Sequence, residues 1–350
     1  MQRKTLYFTA PHQVELREET LPALGADEVL VETVCSAISA GTEMLVYRGQ
    51  FPKEVDAIDS ISSGLRYPLP YGYASVGRVK QIGKSVKREW ENQLAFAFQP
   101  HASHFVTTPE SLFPIPDSLP PEAACFLPNM ETAVNLVQDA APILGERVLV
   151  LGQGIVGLLT TALLMEFPLQ TLVTADFYPL RRETSMALGV TASLDSSTVD
   201  FSEKALSHCR SMLLPHREEK DLTKRGGFDL VFEVSGNPTA LNHALEVTAF
   251  SGRVVIGSWY GEKRAPIDLG STFHRSRIKL ISSQVSTIAP ELSARWDKSR
   301  RFQVAWEALK RIQTEKWITH RYPLEKARDA YQLLDQNPQD AIQVIFNHQT

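Results

Sequence analysis

The chain has 350 residues, with 36 basic and 40 acidic side chains and a formal charge of −4. That balance gives no reason to expect a nucleic acid or an anionic membrane as partner, and roughly 150 residues per domain predicts about two domains. Hydrophobic residues at 43% support a sizeable core, while three cysteines are too few for a disulfide framework or a cysteine-rich zinc site, so the composition reads as a cytoplasmic protein.

In chain order, the opening MQRKTLYFTA lacks the apolar stretch of a secretory signal. Short β-like runs follow at residues 4–8, 28–34, 75–82 and 94–98, with no long helix before about residue 119. A proline-rich crossing at 109–124 leads into alternating strands and helices. Strands are predicted at 148–151, 172–175, 228–234 and 254–257, and helices at 154–165, 181–188 and 239–248. Such alternation indicates βαβ units and a parallel sheet. Residues 148–165 carry no charge, but Gly152, Gln153, Gly154 and Gly157 interrupt them. A buried strand, a glycine turn and a buried helix explain this better than a membrane span. The charged stretch 202–224 reads as a solvated, partly helical face. The tail shows amphipathic helices at 302–312 and 325–334 and a closing strand at 341–346, and it is expected to pack on the β-rich first part.

The most specific local signal is VLVLGQGIVGLL, with Gly152, Gly154 and Gly157 in G-x-G-x-x-G spacing. It follows an apolar strand and opens an apolar helix through Ile155 and Val156, the context that dinucleotide binding requires. Gly152 is expected to make the tight turn, Gly154 to admit the pyrophosphate and Gly157 to let helix pack on strand. The helix N-terminus adds a partial positive charge for the phosphates. Asp176 ends the second strand, nineteen residues beyond Gly157, where a carboxylate accepts hydrogen bonds from ribose hydroxyls. It would repel a 2′-phosphate, favouring NAD over NADP. Arg181 and Arg182 either temper that preference or lie on the helix surface.

These glycines, Asp176, FDLVFEVSG (228–236) and SGRVVIG (251–257) together resemble the medium-chain dehydrogenase/reductase superfamily over almost the whole chain. The proline-rich crossing with PEAAC and the closing RYPLEKARDAYQLL fit the same resemblance. It implies an α/β architecture: a GroES-like β-rich catalytic domain from residues 1–121 and 288–350, and a Rossmann domain, a doubly wound parallel sheet, from 122–287. It also implies that Val234 and Ser235 border the nicotinamide ribose, and that Gly257, Ser258 and Trp259 border the nicotinamide.

Against the zinc alcohol dehydrogenases of that superfamily, the first ligand cysteine falls at Ser39 or Ala40 in SAISAGTE. Their Gly-His-Glu is Gly72-Tyr73-Ala74 here, and the third ligand position falls near Pro128. Zinc takes about three cysteine, histidine or carboxylate ligands, so no metal is expected. SAISAGTE followed by YPLPYGYASVGRV resembles a zinc-lacking branch that includes bacteriochlorophyllide a dehydrogenase.

Without zinc, the hydroxyl proton needs a hydrogen-bonding group near the cofactor. The resemblance puts Thr42 at the proton-relay place, Glu43 beside it and Tyr73 at a ligand place; a turn threonine, a buried structural acid and a core aromatic are the alternatives. His101 is a further acid–base candidate if it lines the cleft. With His104 it forms H-x-x-H, but in a β-rich setting the two rings face opposite ways. Residues 46–71, with Phe51 and Tyr67, read as a long connection beside the cleft. His274, Arg275 and Arg277 are expected to face solvent.

The expected function is a zinc-independent NAD(H)-dependent oxidoreductase, cytoplasmic and homodimeric, interconverting a secondary alcohol and a ketone on a bulky or cyclic small molecule. The alternatives are an NAD(P)H-dependent quinone or enoyl double-bond reductase, and a nucleotide-binding scaffold that has lost catalysis.

Overall fold

The computed structural model describes residues 1–52, 65–209 and 226–348. The chain divides into two compact units, Met1–Pro128 with Trp306–Thr350, and Asn129–Ala305.

In the first unit, β1 (Gln2–Ala10) and β2 (Gln13–Thr20) pair antiparallel, and β3 (Val29–Ile38) leads to helix α1 (Thr42–Tyr47). Next come β4 (Leu69–Pro70), β5 (Ser75–Ile82), β6 (Leu94–Ala97), β7 (His104–Thr107) and β8 (Leu112–Pro114). Helices α2 (Pro121–Ala124) and α3 (Leu127–Ala140) follow. The sequence pattern did not predict β2. Its QVELREET is mostly charged because it is the edge of a three-stranded sheet ordered β2-β1-β4, so only Val14 is buried along it.

The second unit holds β9 (Arg147–Leu151), α4 (Ile155–Leu164), β10 (Thr171–Asp176), α5 (Pro179–Met186), β11 (Ala192–Asp195) and α6 (Phe201–Ser207). It continues with β12 (Phe228–Glu233), α7 (Ala240–Val247), β13 (Thr248–Ile256) and β14 (Lys279–Ser282). All six strands pair parallel in the order β11-β10-β9-β12-β13-β14. That order reverses direction between β9 and β12, and ligands bind at the carboxyl ends of strands beside such a switch point. Both central strands have apolar middles because helices cover them: Val148, Leu149, Leu230 and Val231 are all fully buried. Most of the charged stretch 202–224 lies outside the described residues; its start belongs to α6.

Helix α8 (Lys298–Arg311) leads into the tail, which adds β15 (Ile318–Pro323), α9 (Ala327–Gln336) and β16 (Gln343–Asn347) to the first unit. Strand β16 pairs antiparallel with β3, so the tail does pack on the β-rich part, completing a seven-stranded sheet ordered β15-β16-β3-β5-β6-β8 with β7 on β3. Its core includes Val29, Val31, Val79, Ala95, Phe105 and Leu112. Among the described residues no helix is long and apolar enough to cross a membrane.

Candidate active site

In the second unit, the turn after β9 gives each glycine a separate task. Gly152 has φ of +95°, and a Cβ there would meet the Ser235 backbone at 2.6 Å. A Cβ at Gly157 would lie 1.9 Å from the Gly152 carbonyl oxygen, so only glycine lets α4 pack onto the turn. Gly154 differs: within 4 Å its Cβ would meet only Arg181 Nη1, at 3.8 Å. The space beside Gly154 is a cradle open to a ligand. No side chain caps α4, so its first N–H groups remain directed at that space. Ile155 and Val156 open the helix, the first buried and the second half-buried.

Asp176, nearly buried at the end of β10, accepts the Gln153 N–H at 2.7 Å and the Tyr178 N–H at 2.9 Å. The carboxylate therefore braces the glycine turn as well as lining the cavity. Arg181 turns inward, its guanidinium 4.8 Å over the Tyr178 ring and 3.9 Å from Asp176. Arg182 instead donates to the Asp176 and Phe177 carbonyls and pairs with Asp195. The surface alternative thus fails for Arg181, which lines a cavity of about 270 Å³ with Gly152, Asp176, Ser235, Asn237 and Lys263.

The strand ends on the other side of the switch point carry the remaining predicted residues. The Val234 N–H donates to the Leu151 carbonyl at 2.9 Å, and the Gly257 N–H to the Glu233 carbonyl at 2.9 Å. Ser258 Oγ accepts the Gly236 N–H at 2.9 Å, and Trp259 is half-buried beside it. Sequence reasoning missed Glu233, Tyr260 and Lys263. Glu233 was visible in FEVSG, but nothing in a single sequence marks a strand-end acid as buried.

In the first unit, Tyr73 donates to Ser39 Oγ, and the Thr42 hydroxyl also bonds the phenol. Burial pushes the Tyr73 phenol up to about 12, against the pull of the two hydroxyls. Residues of β3's exit, α1's first turn and the segment before β5 thus meet as three hydroxyls.

Beneath them lies a fully buried carboxylate. Glu43 Oε1 accepts the Ser39 N–H at 2.8 Å; Oε2 accepts from Tyr331 OH at 2.5 Å and lies 3.0 Å from His101 Nε2. His101 Nδ1 is 2.7 Å from Ser36 Oγ, which is 2.9 Å from His348 Nε2. Burial pushes His348 down to about 3, so it is neutral at ordinary pH. With His101 neutral, the groups are satisfied when His348 donates to Ser36, Ser36 to His101, and His101 to Glu43. Burial and the neighbouring Glu43 charge hold the Tyr331 phenol well above its usual range, so it stays a donor.

This geometry corrects one expectation. His101 has no exposed surface and does not line a cleft; it supports the turn before Tyr73, since a Cβ on Gly72 would meet its ring at 2.6 Å. His104 lies apart from that network, bonding Ser103 and facing Glu32 at 3.9 Å. Tyr331 was read only as part of an apolar helix face, and its hydroxyl contact spans 288 residues. Residues 53–64 of the predicted connection lie outside the described residues; Phe51 is buried against the Tyr67 ring. His274, Arg275 and Arg277 are exposed.

The donor set does not fit zinc. Ser39 and Tyr73 offer hydroxyls, Pro128 offers no side-chain donor, and both Glu43 oxygens are taken. Among the described residues no three His, Cys, Asp or Glu side chains group closely enough to hold a metal ion.

The zinc-binding dehydrogenase family matches residues 156–302. That segment follows all three ligand positions, so the match does not bear on zinc. L-Threonine 3-dehydrogenase of Xanthomonas campestris pv. campestris (strain B100) is 25% identical over 271 residues, 69% of this chain and 72% of that one. Sorbitol dehydrogenase of Bacillus subtilis (strain 168) is 23% identical over 289 residues, 73% of this chain and 75% of that one. The fold is similar to that of a short chain alcohol dehydrogenase from E. coli CFT073 complexed with cofactor NADH. There the TM-score is 0.77 at 17% identity, covering 99% of both chains. The chain is thus similar to medium-chain, zinc-type dehydrogenases, through the family match over residues 156–302 and through these relatives. It is an oxidoreductase of the alcohol dehydrogenase type.

Proposed function

We propose that the chain is a zinc-independent, NAD(H)-dependent dehydrogenase interconverting a secondary alcohol and a ketone, on a bulky or cyclic small molecule. The observation that carries this reading is the Ser39–Thr42–Tyr73 hydroxyl cluster, at positions that by motif resemblance correspond to the metal and relay places of zinc relatives. In the proposed division, residues 122–287 bind the dinucleotide, while residues 1–121 and 288–350 handle substrate and proton.

When bound, the dinucleotide supplies or accepts the hydride. The protein's own tasks are binding and proton handling. The Gly154 cradle and the α4 N-terminus fit a pyrophosphate. The Asp176 carboxylate retains lone pairs for ribose hydroxyls and disfavours a 2′-phosphate, tempered by Arg181 at 3.9 Å. Tyr73, neutral with a pKa of about 12, serves as the proton donor to a developing alkoxide, with Thr42 and Ser39 sharing the proton. Glu43 and His101 act beneath this cluster as positioning residues.

A neutral phenol also suits the protonation step of a quinone or enoyl reductase, which is the second reading. A substrate panel decides between them. NAD-linked oxidation of cyclic secondary alcohols supports the dehydrogenase; NADPH-linked turnover of enones or quinones alone supports the reductase. The related homodimer proposal predicts a sedimentation mass twice that of the 39.1 kDa chain.

A further inference from the structure

Glu233 is an acid with an unusual setting. It ends β12, whose Phe228, Leu230, Val231 and Phe232 are fully buried, and is itself fully buried. Its hydrogen-bond partners are neutral donors from two loops. Oε1 accepts the Ser235 N–H at 2.8 Å and the Ser235 hydroxyl, while Oε2 accepts the Tyr260 hydroxyl. Burial and the Glu233 charge push the Tyr260 phenol up, keeping it a donor. A buried carboxylate is costly unless its oxygens are satisfied, so these bonds fix where both loops sit.

The loops concerned shape the cavity. Ser235 lines it, and the Ser235 backbone sits where a Cβ on Gly152 would be, so a shift in Ser235 bears on the glycine turn. On the other side, Tyr260 lies between Ser258, which accepts the Gly236 N–H, and Lys263, which donates to the Gly236 carbonyl at 2.8 Å. Two acceptor atoms of one side chain therefore tie the loops after β12 and β13 together at the edge of the cavity.

We propose that Glu233 is a positioning residue that sets the geometry of the dinucleotide cavity by clamping Ser235 and Tyr260. This rests on the cofactor assignment above and adds a residue that acts without touching the cofactor. The mutation Glu233→Gln keeps the shape but removes the charge and the second acceptor; Tyr260→Phe removes one clamp arm only.

The test measures NADH affinity by fluorescence titration, with kcat and KM for the cofactor, on both variants and the double variant, and thermal unfolding as a folding control. Glu233→Gln is expected to weaken NADH binding by about tenfold or more, and Tyr260→Phe by about threefold, with kcat at saturating cofactor within about twofold of the unmodified protein. The double variant is expected to bind no more weakly than Glu233→Gln, because both changes release the same clamp. Folded Glu233→Gln with unchanged affinity, or fully additive losses, overturns the clamp. If Glu233→Gln does not fold, Tyr260→Phe alone decides: unchanged NADH affinity overturns the proposal, and weakened affinity at unchanged kcat supports it. Failure of the unmodified protein to bind NADH or NADPH overturns the cofactor assignment and the clamp with it.

Discussion

The candidate residues of the two units, each taken by itself, form two halves of a contrast in material. In the second unit the cradle is made of backbone: Gly152, Gly154 and Gly157 lie within six residues; the first and third leave no room for a side chain, and the open space lies beside Gly154. In the first unit the site is made of side chains from β3, α1, the segment before β5, and α9, and its centre is a buried carboxylate, Glu43. Backbone cradles tolerate change around them but not within them. A side-chain network fails at its central acceptor, because every donor left behind is buried.

The largest effect is therefore expected at Glu43. Glu43→Ala leaves His101, Tyr331 and the Ser39 N–H without their acceptor, and losing one partner of a buried pair costs about 3–5 kcal/mol. Chemical denaturation should show that loss. Stability within ~1 kcal/mol of the unmodified protein would break the contrast between the two halves.

Next in size is Tyr73→Phe. Deleting a general acid typically costs about 10²–10⁴-fold in rate, so turnover should fall by about 100-fold while NADH affinity holds. Its pH signature follows from a phenol near 12. The proton is present at every pH well below that value, so ketone reduction should stay flat from about pH 6 to 10 on account of this group. Alcohol oxidation, which needs the proton removed, should rise with pH over the same range. A reduction rate that falls with a midpoint near 7 would assign the proton to another group.

The backbone half makes a sharper pair. Gly157→Ala forces a methyl group to 1.9 Å from the Gly152 carbonyl, and overpacking typically costs about 1–3 kcal/mol, so the melting temperature should drop. Gly154→Ala meets nothing but Arg181 at 3.8 Å, so its melting temperature should stay put while NADH binding weakens. Equal melting losses in both would mean that the cradle is structural and not a ligand space. The smallest effect, on cofactor choice, is expected for Asp176→Asn, which removes the charge and, with one amide oxygen, keeps an acceptor for only one of the Gln153 and Tyr178 N–H groups. Titration should show the preference for NAD(H) over NADP(H) narrowing by about threefold to tenfold.

This difference in material also decides how much could be read from sequence. The glycine spacing, the apolar strand before it and Asp176 all lie within thirty residues of one another, so local pattern suffices for the parallel sheet and its turn. The β-rich unit was legible as strands at β1, β3, β5 and β6 but not at β2, where edge exposure replaces apolar alternation with charge. The polar network was legible only in part. Thr42, Glu43 and Tyr73 drew attention through resemblance, yet no periodicity links Glu43 to Tyr331 or Ser36 to His348. Their contacts form because β16 pairs with β3 and α9 packs beside α1, long-range facts that a one-dimensional pattern does not hold. The same limit hid Glu233, whose partners come from two separate loops.

The central claim is that hydroxyls, and not a metal, handle the proton. The direct measurement is turnover after exhaustive dialysis against a strong chelator, with metal per chain determined on the same sample. The account predicts well under one zinc per chain and an unchanged rate of alcohol oxidation. Loss of turnover that returns when zinc is added back would contradict it.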